Sequence, residues 1–164
     1  MDRYELALDI LTQNLRVVRD MIEATPKGAL DEKPATNAWS IRDVLTHMAH
    51  IETAVIPRRV RAMVASDGTE LPATPPVPAA RGVEEMLAEW EAARAGNLEY
   101  LRGLTAEQLQ RTGIHRQYGR ITAREHIIEW AYHDLDHLRQ MHAALQSALY
   151  DGIGGFQALY PRPS

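Results

Sequence analysis

Six of the seven histidines in this chain lie on two stretches that read as helices: His47 and His50 on one, His126, His133, His137 and His142 on the other. A neutral imidazole is a metal ligand and, near neutral pH, a proton carrier. In EHIIEWAYHDLDHLRQ, residues 125–140, His133 and His137 stand four apart, so their rings can converge on one point, as when one helix supplies two metal ligands. At about 100° of rotation per residue, His126, His133 and His137 share roughly 40° of arc on one flank of the apolar face. By the same rotation His47 lies at the edge of its helix's apolar stripe, and His50 about 60° further toward solvent. His47 is therefore the candidate third ligand, since bundles build metal sites from facing helices.

Several half-buried imidazoles in one place are costly unless something satisfies their nitrogens. A metal does so, and so would a carboxylate network; residue types alone leave both open. Taken singly, His50, His126 and His142 read as hydrogen-bonded structural residues. Asp134 points into the apolar arc, where an acid needs a partner. It either orients a ligand histidine or pairs with an arginine of a neighbouring helix, the simpler reading. Trp39, Trp90 and Trp130 read as core aromatics. No cysteine is present, which excludes disulfides, thiolate nucleophiles and thiolate metal sites. Neither a Ser/His/Asp constellation nor a phosphate-cradling glycine loop is visible.

Four amphipathic helices must position these side chains. Tyr4, Leu8, Leu11, Leu15, Val18 and Ile22 alternate steps of four and three, and Pro26 and Gly28 end that helix. Ser40 with Asp43 makes a capping-box pattern for the second, whose stripe is Ile41, Val44, Met48, Ile51 and Val55. Pro57 should kink or interrupt it before it ends near Ala65. Residues 66–82, SDGTELPATPPVPAARG, read as a long proline-rich crossover between helices 2 and 3. The third helix carries Met86, Leu87, Trp90, Arg94, Asn97, Leu98 and Leu101 at helical spacing. Thr105 to Gln108 predicts a short helical turn, and RTGIHRQYGR a loop. Thr122 with Glu125 caps the last helix, which runs to about Tyr150. Its apolar face is Ile127, Ala131, Leu135, Leu138 and Leu145; Glu125, Glu129, Asp136 and Arg139 mark the solvent face. Phe156, Leu159 and Tyr160 of the tail are expected to pack back on the body. No strand alternation and no repeat appears, so the fold class is all-α, a four-helix bundle with a long crossover.

The 164 residues are read as a single domain, 1–164. A net charge of −4, with no basic run denser than Arg58, Arg59 and Arg61, argues against nucleic acid or an anionic membrane as partner. That arginine group reads as a solvated helix end, or else as an attractor of a cosubstrate's carboxylates. No apolar run approaches the roughly 20 residues of a membrane span, and no secretory leader is visible. With the missing cysteines, this fits a cytoplasmic protein.

Two runs resemble the motifs of a known family. WSIRDVLTHMAHIE, with Trp39 eight residues before His47, resembles the second-helix motif of the DinB-like (DinB/YfiT) superfamily. GRITAREHIIEWAYHDLDHLRQM resembles its closing motif, H-x-x-x-H followed shortly by glutamine. The resemblance covers most of the chain and implies a four-helix bundle, often a homodimer. It also implies a divalent metal, typically zinc or nickel, held by His47, His133 and His137, with Asp134 and Gln140 in supporting or packing roles. His50 departs from the pattern and is open as an alternative ligand, a proton shuttle or a surface residue.

Characterised members of that family include metal-dependent transferases of low-molecular-weight thiols such as bacillithiol or mycothiol, and a mycothiol-dependent maleylpyruvate isomerase. The resemblance thus implies thiol transfer to an electrophilic small molecule, with the thiol as cosubstrate because the chain has no cysteine. Hydrolysis, or a non-catalytic metal- or ligand-binding bundle, is the alternative.

Overall fold

The computed structural model describes residues 1–163. The Asp2 carboxylate accepts from the Tyr4 backbone N–H and opens α1 (Arg3–Ala24), which buries Tyr4, Leu8, Leu11, Val18 and Ile22 along the expected stripe. Ser40 and Asp43 form the reciprocal capping box that starts α2 (Ile41–His50). Pro57 does not end the second rod of the bundle. A π-helical turn, Ile51–Val55, is inserted, and α3 (Ile56–Ala65) continues with Pro57 in its first turn. Proline has no N–H to donate and suits a first turn, while the widened turn before it relieves the clash of its ring.

The third rod is α4 (Val83–Arg102), followed by the short α5 (Ala106–Gln110), capped by Thr105 and Gln108. Thr122 and Glu125 form the box that opens α6 (Ala123–Tyr150). Helices α1 and α2 each pack on both α4 and α6, which makes the fold a four-helix bundle. Its interior has two clusters, one around Leu11, Val60 and Trp130 and the other around Val44, Met48, Trp90 and Met141. Among the described residues no helix is long and apolar enough to cross a membrane.

The expected absence of strands is corrected. A three-stranded sheet sits at one end: β1 (Thr69–Glu70) runs parallel to β2 (Thr112–His115), which pairs antiparallel with β3 (Gly119–Thr122). These strands are two to four residues long, and only Gly113 is fully buried, so no alternation could register. Gly113 is required by close approach, because a Cβ there would run into the side chains of Leu71 and Met63. Gly119, with φ of 76°, closes the hairpin in a conformation that favours glycine.

Two expectations about apolar residues also fail. Leu135 is exposed, although rotation placed it on the inward face of α6. Phe156, Leu159 and Tyr160 stay exposed; the tail folds back only onto the end of α6, where the Tyr150 hydroxyl donates to the Tyr160 carbonyl at 3.1 Å.

Beyond β1 the crossover, 71–82, has no regular structure but is tied to the second rod by several hydrogen bonds, among them Arg42 Nη1 to the Arg81 carbonyl at 3.1 Å. His50 hydrogen-bonds the Pro75 carbonyl at 3.1 Å, and Arg59 donates from Nε to the Pro72 carbonyl at 3.0 Å. His50 is therefore buried rather than turned to solvent, because the crossover lies over the flank of α2 that a lone helix would expose. The Arg58, Arg59 and Arg61 group does not act as one patch: Arg58 stays exposed, Arg59 is drawn under the crossover, and Arg61 lies 3.9 Å above the Tyr100 ring centroid.

Candidate metal centre

Helices α2 and α6 face each other, and the structure brings His47, His133 and His137 together. One ring nitrogen from each lies within 4.8 Å of the others. The His133 Nε2 is the shared point, 3.1 Å from His47 Nε2 and 3.0 Å from His137 Nε2. A neutral imidazole has one N–H and one lone pair, so three rings cannot satisfy one another in this arrangement. The His137 Nδ1 lies 2.8 Å from the Gln140 amide oxygen, which accepts only if the proton is on Nδ1. That leaves the His137 Nε2 lone pair turned into the cluster, the tautomer a metal requires. The His133 Nδ1 is buried with no partner.

Charge is disfavoured in the cluster. Burial, then the proximity of His137, His133 and His50, lowers the His47 pKa to about 4. Burial and the neighbouring His137 likewise lower that of His133, against the pull of Asp134 and Glu129. Neutral imidazoles are the ligand form, and no acid belongs to the cluster, so these residues fit a divalent cation on donor chemistry alone.

Trp39 is not a core residue. It is 40% exposed and stands beside the triad, its ring nearly parallel to His137 at 5.7 Å and 5.0 Å from the His47 ring. Its position just before the Ser40 cap puts it at the mouth of α2, a placement that hydrophobicity could not distinguish from burial. With Gln140 it also lines a cleft of about 580 Å³ bounded by the 34–38 loop and Arg139.

His126 and His50 stay outside the triad. His126 is buried, with Nδ1 3.2 Å from a Glu129 carboxylate oxygen and Nε2 unpartnered. Burial opposes the Glu129 charge, yet the His126 hydrogen bond and the nearby His126, His133 and Arg59 charges hold its pKa below the ordinary carboxylate range. Glu129 itself is exposed, as rotation placed it, and borders the site through His126. His142, exposed, bonds the Leu138 carbonyl of its own helix at 2.7 Å.

Behind the triad runs a fully buried ionic network. Arg94 of α4 donates through Nε and Nη2 to Glu52 Oε2 at 2.9 and 2.7 Å, and through Nη1 to Asp134 Oδ2 at 2.8 Å. Its Nη1 also reaches the Leu11 carbonyl at 3.0 Å. Burial alone would disfavour the guanidinium charge, but Asp134 and Glu52 raise its pKa, and it stays protonated. Asn97 donates to Glu52 Oε1 at 2.9 Å, and Asn14 to Asp134 Oδ2 at 3.3 Å. The arginine pairing read for Asp134 is thus what the structure contains. Glu52 escaped notice, although it stands four residues after Met48 and next to Ile51 within the apolar stripe. The network links the π-turn after His47 to the residue that follows His133, and so joins the two helices that carry the triad.

The DinB superfamily model matches residues 10–141. Among solved structures, YfiT from Bacillus subtilis, described as a probable metal-dependent hydrolase with an unusual four-helix bundle topology, is 16% identical with a TM-score of 0.75; the match covers 88% of this chain and 87% of that one. TT2238, described as a four-helix bundle protein, is 22% identical with a TM-score of 0.65, over 85% of this chain and 98% of its own. Among curated proteins none matches. With four-fifths of its length matched, an H-x-x-x-H on α6 and a third histidine opposite on α2, the chain belongs to the DinB superfamily.

Proposed function

We propose that the chain is a metal-dependent enzyme that transfers a low-molecular-weight thiol to an electrophilic small molecule. His47, His133 and His137 would hold the divalent ion, zinc or nickel. The observation that carries this reading is the convergence of three imidazole nitrogens within 4.8 Å, with no acid among them. Three neutral ligands leave the cation's charge undiminished and coordination positions free, as in catalytic rather than closed structural sites. A divalent metal bound there would acidify a thiol or water brought to such a position near neutral pH.

The protein's own residues supply the rest. Gln140 holds the His137 tautomer, and Trp39 lies across the ring and limits water on that side. The thiol must arrive as a cosubstrate, since the chain has no cysteine. Hydrolysis by the same centre is the second reading, favoured by the likeness to YfiT.

The test is metal content by mass spectrometry, wild type beside His137→Ala, followed by turnover of the loaded protein with a small thiol and an alkylating fluorophore, or with an activated ester. About one ion per chain, lost in His137→Ala, with thioether formation that follows metal content, is the expected result. Ester cleavage without thioether formation would move the assignment to hydrolase. An absence of metal after incubation with zinc and nickel would end the enzyme reading.

A further inference from the structure

A second cluster of polar side chains lies where the crossover meets the small sheet. Arg59 of α3 is half-buried there, and its partners are all neutral: the Pro72 carbonyl at 3.0 Å, the Thr74 hydroxyl at 2.9 Å and His115 Nε2 at 3.3 Å. Glu129 acts on it only at a distance. A guanidinium withdrawn from water without a carboxylate partner is costly, and an anion relieves that cost.

His115, at the end of β2, has the matching need. Its Nδ1 accepts from the backbone N–H groups of Gln117 and Tyr118 at 3.2 and 3.3 Å. A neutral imidazole accepts at one nitrogen only, so the proton sits on Nε2. That N–H then points at the Arg59 Nη1 donor 3.3 Å away: two donors face each other with no acceptor between them. Thr74, which accepts from Arg59, keeps its own hydroxyl proton to donate. All three line one cavity of about 920 Å³, whose single lining acid, Glu70, is exposed. Burial, Arg59 and His126 depress the His115 pKa, consistent with an imidazole left neutral until an anion arrives.

We propose that Arg59, His115 and Thr74 form a binding site for the carboxylate of a small organic acid, its oxygens accepting from Arg59 Nη1, His115 Nε2 and the Thr74 hydroxyl. Glu129, which acts on Arg59 at a distance, stands one helical turn before His133 of the candidate metal centre. That the acid is the substrate class of that centre rests on the functional reading above; the carboxylate site itself does not.

The experiment uses the full chain, freed of metal with a chelator, and succinate as probe. Wild type is followed by histidine side-chain nitrogen NMR, and wild type and variants by ligand-detected NMR. The expected result is saturable binding that shifts the His115 ring signals and leaves those of exposed His142 in place. His115→Phe preserves the stacking on Tyr118 but removes the Nδ1 acceptor of the turn, and should remain folded while binding at least about tenfold more weakly. Arg59→Met should lose binding too, and His115→Phe keeps the result interpretable should Arg59→Met release the crossover. Equal binding by wild type and His115→Phe, or no saturation in wild type, would overturn the site. Inorganic phosphate displacing succinate with about tenfold tighter binding would overturn the carboxylate assignment. Because His137→Ala retains this site, succinate binding by that variant stands or falls separately from the metal reading.

Discussion

The Trp39 ring lies parallel to the His137 ring, with 6° between their planes and 5.7 Å between their centroids. Trp90 and Trp130 are fully buried elsewhere in the core, so Trp39 is the indole that reports on the cluster. Nickel added to the metal-free protein should quench tryptophan fluorescence, and Trp39→Phe should lose most of the response while retaining metal by mass spectrometry. Quenching of equal size in the variant would place the ion away from His137.

Gln140 fixes which His137 nitrogen carries the proton. Gln140→Leu keeps the side-chain volume but removes the acceptor, and should weaken zinc binding by about 10- to 100-fold with little change in metal-free stability. Competition with a chromophoric chelator measures it. Unchanged affinity would reduce the contact to packing.

Acid should destabilise the metal-free fold through the triad. Unfolded, His47 titrates near 6.5; folded, burial and its histidine neighbours bring it to about 4. Between these values the unfolded chain binds more protons, so stability falls as pH drops through that window and is insensitive to this group above it. His133 acts in the same direction. The melting temperature of metal-free wild type should therefore decline more steeply from pH 6.5 to 4 than that of His47→Gln, which lacks the group. Parallel declines would mean that carboxylates alone set the acid limit.

Arg94→Met would leave Glu52 and Asp134 buried without their counter-charge. Breaking one side of such a network costs about 3–5 kcal/mol, which denaturant titration would read as a lowered midpoint. Because the network joins α2 and α6 near the triad, zinc affinity should fall as well. If affinity holds in a variant that remains folded, the network serves stability alone.

Gly113→Ala places a methyl group against Leu71 and Met63. The sheet must shift to admit it, at about 1–3 kcal/mol of stability measured by thermal melting. A neutral outcome would show that Leu71 at the start of the crossover yields easily.

The amino-acid sequence by itself determined the four rods, because apolar steps of three and four and the Ser40, Thr105 and Thr122 caps are local properties of the chain. It also determined the metal-ligand candidates: the i, i+4 spacing of His133 and His137 is set within one helix, and His47 followed from rotation and motif. Tertiary structure decided what each flank of those helices meets. The crossover buries His50, the bundle pairs Arg94 with Glu52 and Asp134, and the chain before α2 lays Trp39 on His137. The sheet lay beyond local reading for a related reason, since its strands are only two to four residues long and β1 pairs with β2 from more than forty residues away. Arg59 and His115, 56 residues apart in sequence, face each other only because that sheet closes against α3. Periodicity reports which way a side chain leaves its own helix; which group waits there depends on packing between distant segments.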